Sequence, residues 1–433
     1  MPTTRHICYQ GDLLHIEDVG LPAVADAFET PCYCYSVAGI RAQYEAFTHA
    51  LKDLPATIHY SVKANPSLAV LRLLANQGSG ADVVSRGEIH RAIAAGIPAR
   101  KIIFSGAGKS PDELAYALDT DIAQINVESH EELEQLAEIA ASKGTAARVA
   151  VRVNPDIDAQ THKKITTGTT DNKFGIPWQE AETFLRRASS LPSIEIVGLA
   201  MHIGSQIVKP SPFDDAFARL AVLAEEMRSK GFPLQTLDLG GGLGTNYEND
   251  APLKLKLEDY ANTIRKHFSA LPYRLLLEPG RALVADAGVL LTRLLQEKHS
   301  GTKRFLIVDS AMNDLMRPAL YDAHHDIVPV VRTDAPLSPA EVVGPICETS
   351  DTLARNIPLP PLSSGDLLAI LQAGAYGASL ASMYNSRLRV QEVLVSGSKM
   401  AAVYRRPDYE EMLKPERIPE WLDGGPNSKP PSS

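Results

Sequence analysis

From residue 57 the chain alternates between two hydrophobic periods. Short β-branched runs are each followed by a turn and then, in most cases, by a stretch with helical spacing. The runs are TIHYSVK (57–63), GADVVS (80–85), KIIFSG (101–106), IAQINV (122–127), ARVAVRVNP (147–155), IEIVGLAMHIG (194–204), TLDLGG (236–241) and RLLLEPG (274–280). Amphipathic helices are predicted between them, for example over 129–143 and 213–230. Eight strand–helix units predict a closed (β/α)8 barrel of the TIM type. An open doubly wound sheet seldom needs all eight.

After residue 281 the pattern changes. GVLLTRLLQ, RFLIVDS, DIVPVV and GDLLAILQAGAY come with turns and no long helical pattern between them. This predicts an antiparallel β domain. Residues 1–36, including ETPCYCYS, are strand-like and are expected to join it, with Cys32-Tyr33-Cys34 alternating across a strand. The expected fold class is therefore α/β: a (β/α)8 barrel plus a C-terminal antiparallel β domain joined by the N-terminal strands. The divisions are 1–36 for those strands, 37–281 for the barrel, 282–405 for the β domain and 406–433 for a tail. The tail is polar and proline-rich, and poor order is expected beyond 420.

Composition narrows the function classes. At 433 residues the chain exceeds one ordinary core. It is 44% hydrophobic and 22% charged, with a net charge of −9 and both signs interspersed. No basic stripe offers itself to nucleic acid or a membrane surface. The start, MPTTRHICYQGD, lacks a signal-peptide pattern, and no apolar run approaches a membrane span. The four cysteines (Cys8, Cys32, Cys34 and Cys347) are too few for a disulfide scaffold, and no second pair completes a zinc site. A cytoplasmic protein without a metal site is expected.

Candidate chemistry gathers at one end of the predicted barrel. Active sites of such barrels lie at the C-terminal ends of the strands. Those ends supply Lys63, Ser85, Ser105, Asn154, His202, the glycines 240–242 and Glu278. Strand parity sharpens the list. In the first run Ile58, Tyr60 and Val62 point one way, and His59, Ser61 and Lys63 the other. In the sixth, Val197, Leu199, Met201 and Ile203 are expected to face the helices, which turns Gly198, Ala200 and His202 inward. In the eighth, Leu275 and Leu277 face outward and Glu278 inward.

A lysine, a histidine and a glutamate thus converge on one mouth. A lysine held in a cleft suits Schiff-base chemistry. Three consecutive glycines after the seventh strand let backbone approach an anion, and phosphate sites form there in such barrels. A carboxylate beside a pyridine nitrogen keeps that nitrogen protonated, so that the ring can accept electrons. Together these residues suggest pyridoxal phosphate and a decarboxylation, with His202 able to stack on the ring. SGAGKS (105–110) resembles a phosphate loop but lacks its first glycine, since Ile103 occupies that position.

Ten segments, YSVKAN, GADVVSRGE, KIIFSGAGKS, NKFGI, MHIGSQ, LDLGGGLG, EPGRALV, MRPALYDAHH, VGPICE and QAGAYGASLASMYNSR, resemble the bacterial diaminopimelate decarboxylases. These are pyridoxal-phosphate enzymes of lysine biosynthesis with a barrel plus a β domain. The resemblance runs in order from about residue 30 to 396. It implies that Lys63 binds the cofactor aldehyde, that Ser205 and Gly240, Gly241 and Gly242 contact its phosphate, that His202 stacks on its ring and that Glu278 partners its nitrogen. Gly280 and Arg281, from EPGR, resemble cofactor contacts, and Arg281 also resembles a substrate-binding arginine. Arg317 and Tyr321, from RPALY, resemble the pair that grips the distal end of the substrate. Cys347 and Glu348 are similar to residues that reach the neighbouring subunit's site, with Cys347 as the acid that reprotonates Cα. Tyr376 resembles a contact to both cofactor and substrate. A homodimer with shared sites is implied. One departure is visible: Thr349-Ser350-Asp351 stands where the family more often has a serine-glycine pair before the aspartate.

The implied activity is decarboxylation of meso-diaminopimelate to L-lysine. Arg281 and Arg317 suit the distal carboxylate and Glu348 the distal ammonium. Two alternatives remain at this point. One is a decarboxylase of another basic amino acid, of the ornithine or arginine type. The other is a non-catalytic regulatory homologue.

Overall fold

A computed structural model describes residues 4–159, 167–168, 173–247 and 255–423. All eight predicted barrel strands are present: Ala56–Ser61, Gly80–Val83, Ile102–Phe104, Gln124–Val127, Ala147–Asn154, Ile194–Ala200, Thr236–Asp238 and Arg274–Leu277. Each pairs in parallel with the next. The eighth closes on the first, with Leu275 opposite Ala56 and Leu277 opposite Ile58. The helices between them follow the sequence pattern, as at His130–Ser142 and Ser211–Ser229. Strand residues Ile58 and Tyr60 share one apolar core with helix residues Val70, Leu71 and Leu74. Their alternates, His59 and Ser61, make polar contacts within the barrel.

Two parity expectations need correction. The first strand stops at Ser61, and Lys63 stands in a 3-10 turn, Val62–Ala64, rather than at the strand's last position. In the sixth strand a β-bulge between Ile196 and Gly198 shifts the register. An extra residue flips every side chain before it. Ile196 therefore joins the core with Leu199, Met201 and Ile203, while Val197 lines the opposite, N-terminal end of the barrel. His202 lies beyond the bulge and keeps its inward placement.

The second domain is built on a sheet of nine strands. Its main path runs Thr352–Leu359, Ser338–Val343, Lys303–Val308, Gly288–Ser300, Cys32–Ser36, Gln391–Ser396 and Lys399–Tyr404. Most pairs are antiparallel, but Lys303–Val308 pairs in parallel with Ser338–Val343, and Cys32–Ser36 with Gln391–Ser396. Cys32–Ser36 therefore lies inside the sheet. Its cysteines face one apolar cluster and Tyr33 and Tyr35 the other. The earlier strands, Ile7–Gln10, Leu13–Ile16 and Val19–Gly20, form a separate three-stranded sheet, linked to the second domain by a bridge between Leu13 and Val331. The tail forms a short helix, Tyr409–Leu413, and a turn at Glu420–Asp423. The remainder of the tail, 424–433, lies outside the described residues, as does Asn172 of the NKFGI segment. Among the described residues no helix is long and apolar enough to cross a membrane.

Candidate active site

Two adjoining cavities, of about 450 and 420 Å³, open at the C-terminal mouth of the barrel and share Lys63, Thr167 and His202. The floor is acidic. Lys63 Nζ lies 3.1 Å from Asp82 Oδ2, and Ser61 Oγ donates to the same oxygen at 2.7 Å. Burial alone would depress the Lys63 ammonium, but Asp82, Tyr376 and Glu278 outweigh it and raise its pKa. Burial would likewise raise Asp82, yet Lys63 and Ser61 hold its carboxyl below the ordinary range. Asp82 Oδ1 is buried without a partner among the described residues.

Glu278 is buried beside Asp238. Asn126 Nδ2 donates to Asp238 Oδ2 at 2.8 Å and to Ser105 Oγ at 3.0 Å, and Ser105 Oγ donates to Glu278 Oε1 at 3.4 Å. Burial, then the charge of Asp238, pushes the Glu278 carboxyl well up. Two buried carboxyls in contact cannot both ionise cheaply. Asp82, Asp238 and Glu278 thus gather round one lysine that is paired to Asp82, while Lys109 and Arg152 of the adjoining cavity are paired to Glu132 and Glu128. Glu278 has no ion-pair partner among the described residues, and a cationic group beside it would supply one.

The rim is set by close backbone packing. A Cβ on Gly241 would sit 2.1 Å from the Glu278 carbonyl, and Gly240 and Gly242 adopt φ of +67° and +103°. Only glycine tolerates this approach and these dihedrals. The Gly241 N–H donates to His202 Nδ1 at 3.1 Å, and the Gly240 N–H to Asp238 Oδ1 at 3.0 Å. His202 is therefore the neutral tautomer with its proton on Nε2. Burial, followed by the charges of Lys63 and Arg152, pulls its pKa down to about 3.

The far wall is cationic. Arg281 Nη2 donates to Ser205 Oγ at 2.9 Å and Nη1 to Tyr247 OH at 2.6 Å, while its Nε is buried without a partner among the described residues. Its guanidinium lies 4.6 Å above the Tyr376 ring. Arg317 lies 4.2 Å above the Tyr247 ring and donates from Nη1 to His325 Nε2 at 2.6 Å. Tyr321 completes this wall. Tyr376 holds φ of +56°, a strained value for an aromatic residue, and its N–H donates to Ala64 O at 2.7 Å. The β domain thereby fastens directly onto the Lys63 turn. Gly280 fits against the same turn, where a Cβ would approach Ala64 Cβ to 2.9 Å.

Lys63, His202, Ser205, Arg281, Arg317, Tyr321 and Tyr376 line one cavity, and Glu278 the adjoining one, with the glycines 240–242 packed beside it. Cys347 and Glu348 line neither. Both are exposed, and Glu348 accepts from Ser350 Oγ at 2.8 Å and from Tyr384 OH. The unusual Thr349 and Ser350 are exposed too, whereas buried Asp351 accepts from Met312 N and Ile346 N at 2.7 Å. Ser85 caps a helix, accepting from Glu88 N. Lys109 of SGAGKS is sequestered against Gly106 O, Asn126 O and Glu132 Oε1 at 2.6–2.7 Å.

Four site residues escaped the sequence reading: Asp82, Asp238, Tyr247 and His325. Parity could have found the first two, since Asp82 alternates with Ala81 and Val83, and Asp238 with Leu237 and Leu239.

Residues 37–285 match the pyridoxal-binding domain of the pyridoxal-dependent decarboxylases. Over 412 residues, 94% of this chain, it is 46% identical to the diaminopimelate decarboxylase of Zymomonas mobilis and covers 98% of that protein. The Pseudomonas aeruginosa diaminopimelate decarboxylase is 47% identical over 410 residues, 95% of this chain and 98% of its own length. The chain belongs to the diaminopimelate decarboxylase family. The crystal structure of the Helicobacter pylori diaminopimelate decarboxylase complexed with L-lysine superposes with a TM-score of 0.88 at 41% identity. That match covers 91% of this chain and 98% of that one. Barrel, β domain and pyridoxal-binding region are thus those of a diaminopimelate decarboxylase.

Proposed function

We propose that the protein is a pyridoxal-phosphate-dependent carboxy-lyase that converts meso-diaminopimelate to L-lysine and CO2. One observation carries the substrate. Arg281 and Arg317 are both buried in the far wall, and neither has a carboxylate partner among the described residues. A buried cation without an anion is costly, so the wall is built for a ligand that brings one. A bare diamine or ornithine-type side chain supplies no carboxylate there.

The residues fit the cofactor on their own chemistry. The acid-rich floor suits a protonated ring nitrogen beside Glu278, and the glycine turn leaves no room for side chains at the rim. Lys63 would hold the aldehyde, Glu278 the ring nitrogen and His202 the ring face. Ser205, the glycines 240–242 and Gly280 would hold the phosphate, with Tyr376 alongside and Arg281 left for the substrate carboxylate. When bound, pyridoxal phosphate supplies the conjugated sink for the electrons of the broken Cα–carboxylate bond. The chain's residues do the rest. Glu278 would keep the nitrogen protonated, Arg317 and Tyr321 would fix the distal end, and Lys63, held by Asp82 until then, would be the amine that anchors the cofactor.

Cys347 is proposed as the proton donor to Cα and Glu348 as the partner of the distal ammonium, both from a second copy. A two-fold dimer would bring each to the other's mouth. Lys63→Ala and Cys347→Ala chains, mixed with subunit exchange, would then recover about a quarter of wild-type activity. No recovery despite demonstrated exchange means that the site is built within one chain. The four cysteines are free, which suits a cytoplasmic location. The substrate is tested by assaying lysine and CO2 release from meso-diaminopimelate beside ornithine, arginine and lysine. Preference for any of the latter three would overturn the reading.

A further inference from the structure

We propose that His325 is a positioning residue, a neutral acceptor that aims Arg317 at the distal carboxylate of the substrate. The inference rests on the substrate reading above and adds a residue that reading does not use.

The hydrogen bonds fix the ring's state. His325 Nδ1 lies 2.8 Å from the Leu371 carbonyl, which can only accept, so Nδ1 carries the proton. Nε2 is left with a lone pair, and Arg317 Nη1 donates to it at 2.6 Å. His325 is 1% exposed, and its ring meets Tyr247 edge-on at 5.1 Å between centroids. Burial, then the neighbouring Arg317 charge, draws its pKa down to about 3, so the acceptor stays available at any working pH.

The choice of a neutral partner matters. Arg317 is held by an imidazole lone pair and the face of Tyr247. Both orient a guanidinium, and neither cancels its charge. An aspartate or glutamate in the same place would orient it equally well but would compete with the ligand's carboxylate. The arrangement keeps the cation aimed and unneutralised, which is what discrimination by a buried charge requires. The His–Arg contact is therefore a specificity device acting through Arg317.

L-lysine and cadaverine test this directly, because they differ only by the distal carboxylate. Both are measured as inhibitors of the cofactor-loaded enzyme. Wild type should favour lysine, and the ratio of the two inhibition constants reads the Arg317–carboxylate contact. His325→Leu should shrink that ratio at least about tenfold and raise KM, with kcat within about threefold. His325→Gln can donate to Leu371 O and accept from Arg317, and should restore most of the ratio. His325→Glu should keep Arg317 anchored yet lose the preference for lysine.

A Leu variant that keeps the wild-type ratio overturns the proposal. If that variant does not fold, the other two decide. A Glu variant with full lysine preference, or a Gln variant without it, overturns the proposal equally. Wild-type enzyme that binds lysine and cadaverine alike is a different failure, since it removes the substrate reading on which the inference stands.

Discussion

The barrel has open space at both ends: a single cavity at the N-terminal end and, at the mouth, the two adjoining cavities, each of them similar in size to it. The N-terminal one, of about 420 Å³, is lined by polar residues including His59, Lys101, Gln124, Arg148 and Thr236. Their polar atoms are largely satisfied from within. His59 lies 3.1 Å from both Lys101 O and Thr57 Oγ1. Gln124 Oε1 accepts from Thr236 Oγ1 at 3.0 Å, and Arg148 pairs with Asp121 at 2.7 Å. No lining residue has a buried side-chain atom left unpaired among the described residues. The mouth, by contrast, leaves Asp82 Oδ1 and Arg281 Nε unpaired and Arg317 without an anion among the described residues, and holds Tyr376 at positive φ. The volume of a single cavity does not tell the two ends apart. Unsatisfied polarity and strain among the lining and floor residues do.

Substitution can break this comparison. The largest expected effect is at the mouth: Lys63→Ala should lower kcat at least about a thousandfold. Arg274→Ala at the opposite end should stay within about twofold. Steady-state kinetics on the pair decides, and comparable losses would dissolve the contrast.

Glu278→Gln comes next. It should retain the cofactor's visible absorbance while kcat falls about a hundredfold, since enforced ring protonation is lost. Near-normal turnover would make Glu278 only a structural acid. Arg317→Met should lower kcat/KM for diaminopimelate about tenfold, chiefly through KM. Unchanged KM would mean that its missing anion is not the substrate.

The smallest effect sharpens the other side. Burial pulls His59 from 6.5 to about 4. Its folded pKa lies below its unfolded one, so between those values the unfolded chain binds the extra proton. Stability is present above pH 6.5 and is lost as pH falls toward 4. In that window His59→Gln should remove a slope of up to about 1.4 kcal/mol per pH unit, read by denaturant unfolding at several pH values, with kcat unaffected. An unchanged slope would show that His59 is not held neutral by the fold.

Much of this was legible in the chain. The eight barrel strands could be read because strands with a helix-facing side repeat a period that burial enforces. Lys63, His202 and Glu278 followed from the position of barrel sites, and parity agreed for His202 and Glu278, whereas Lys63 reaches the mouth from a turn beyond its strand. Parity failed at Val197, where a bulge inserts a residue that no local pattern announces. It could not reach Tyr247 or His325, which lie on irregular segments without a period. Strands such as Ser338–Val343 and Gln391–Ser396 were not anticipated either, since their pairings join distant parts of the chain. Cys347 and Glu348 were named only by resemblance, and among the described residues they line neither cavity of the mouth.

The placement of Cys32–Ser36 inside the second sheet has a consequence for how the protein is made. Its antiparallel neighbour begins at Gly288, roughly 250 residues later, and its parallel neighbour at Gln391 later still. On a ribosome the whole barrel emerges before either partner exists. Until then this strand, apolar on both faces, waits with both edges open, a state prone to pairing with other chains. Released chains truncated between Leu277 and Gly288 should therefore be more dependent on chaperones than chains that extend past Ser396, even though both contain all eight barrel strands.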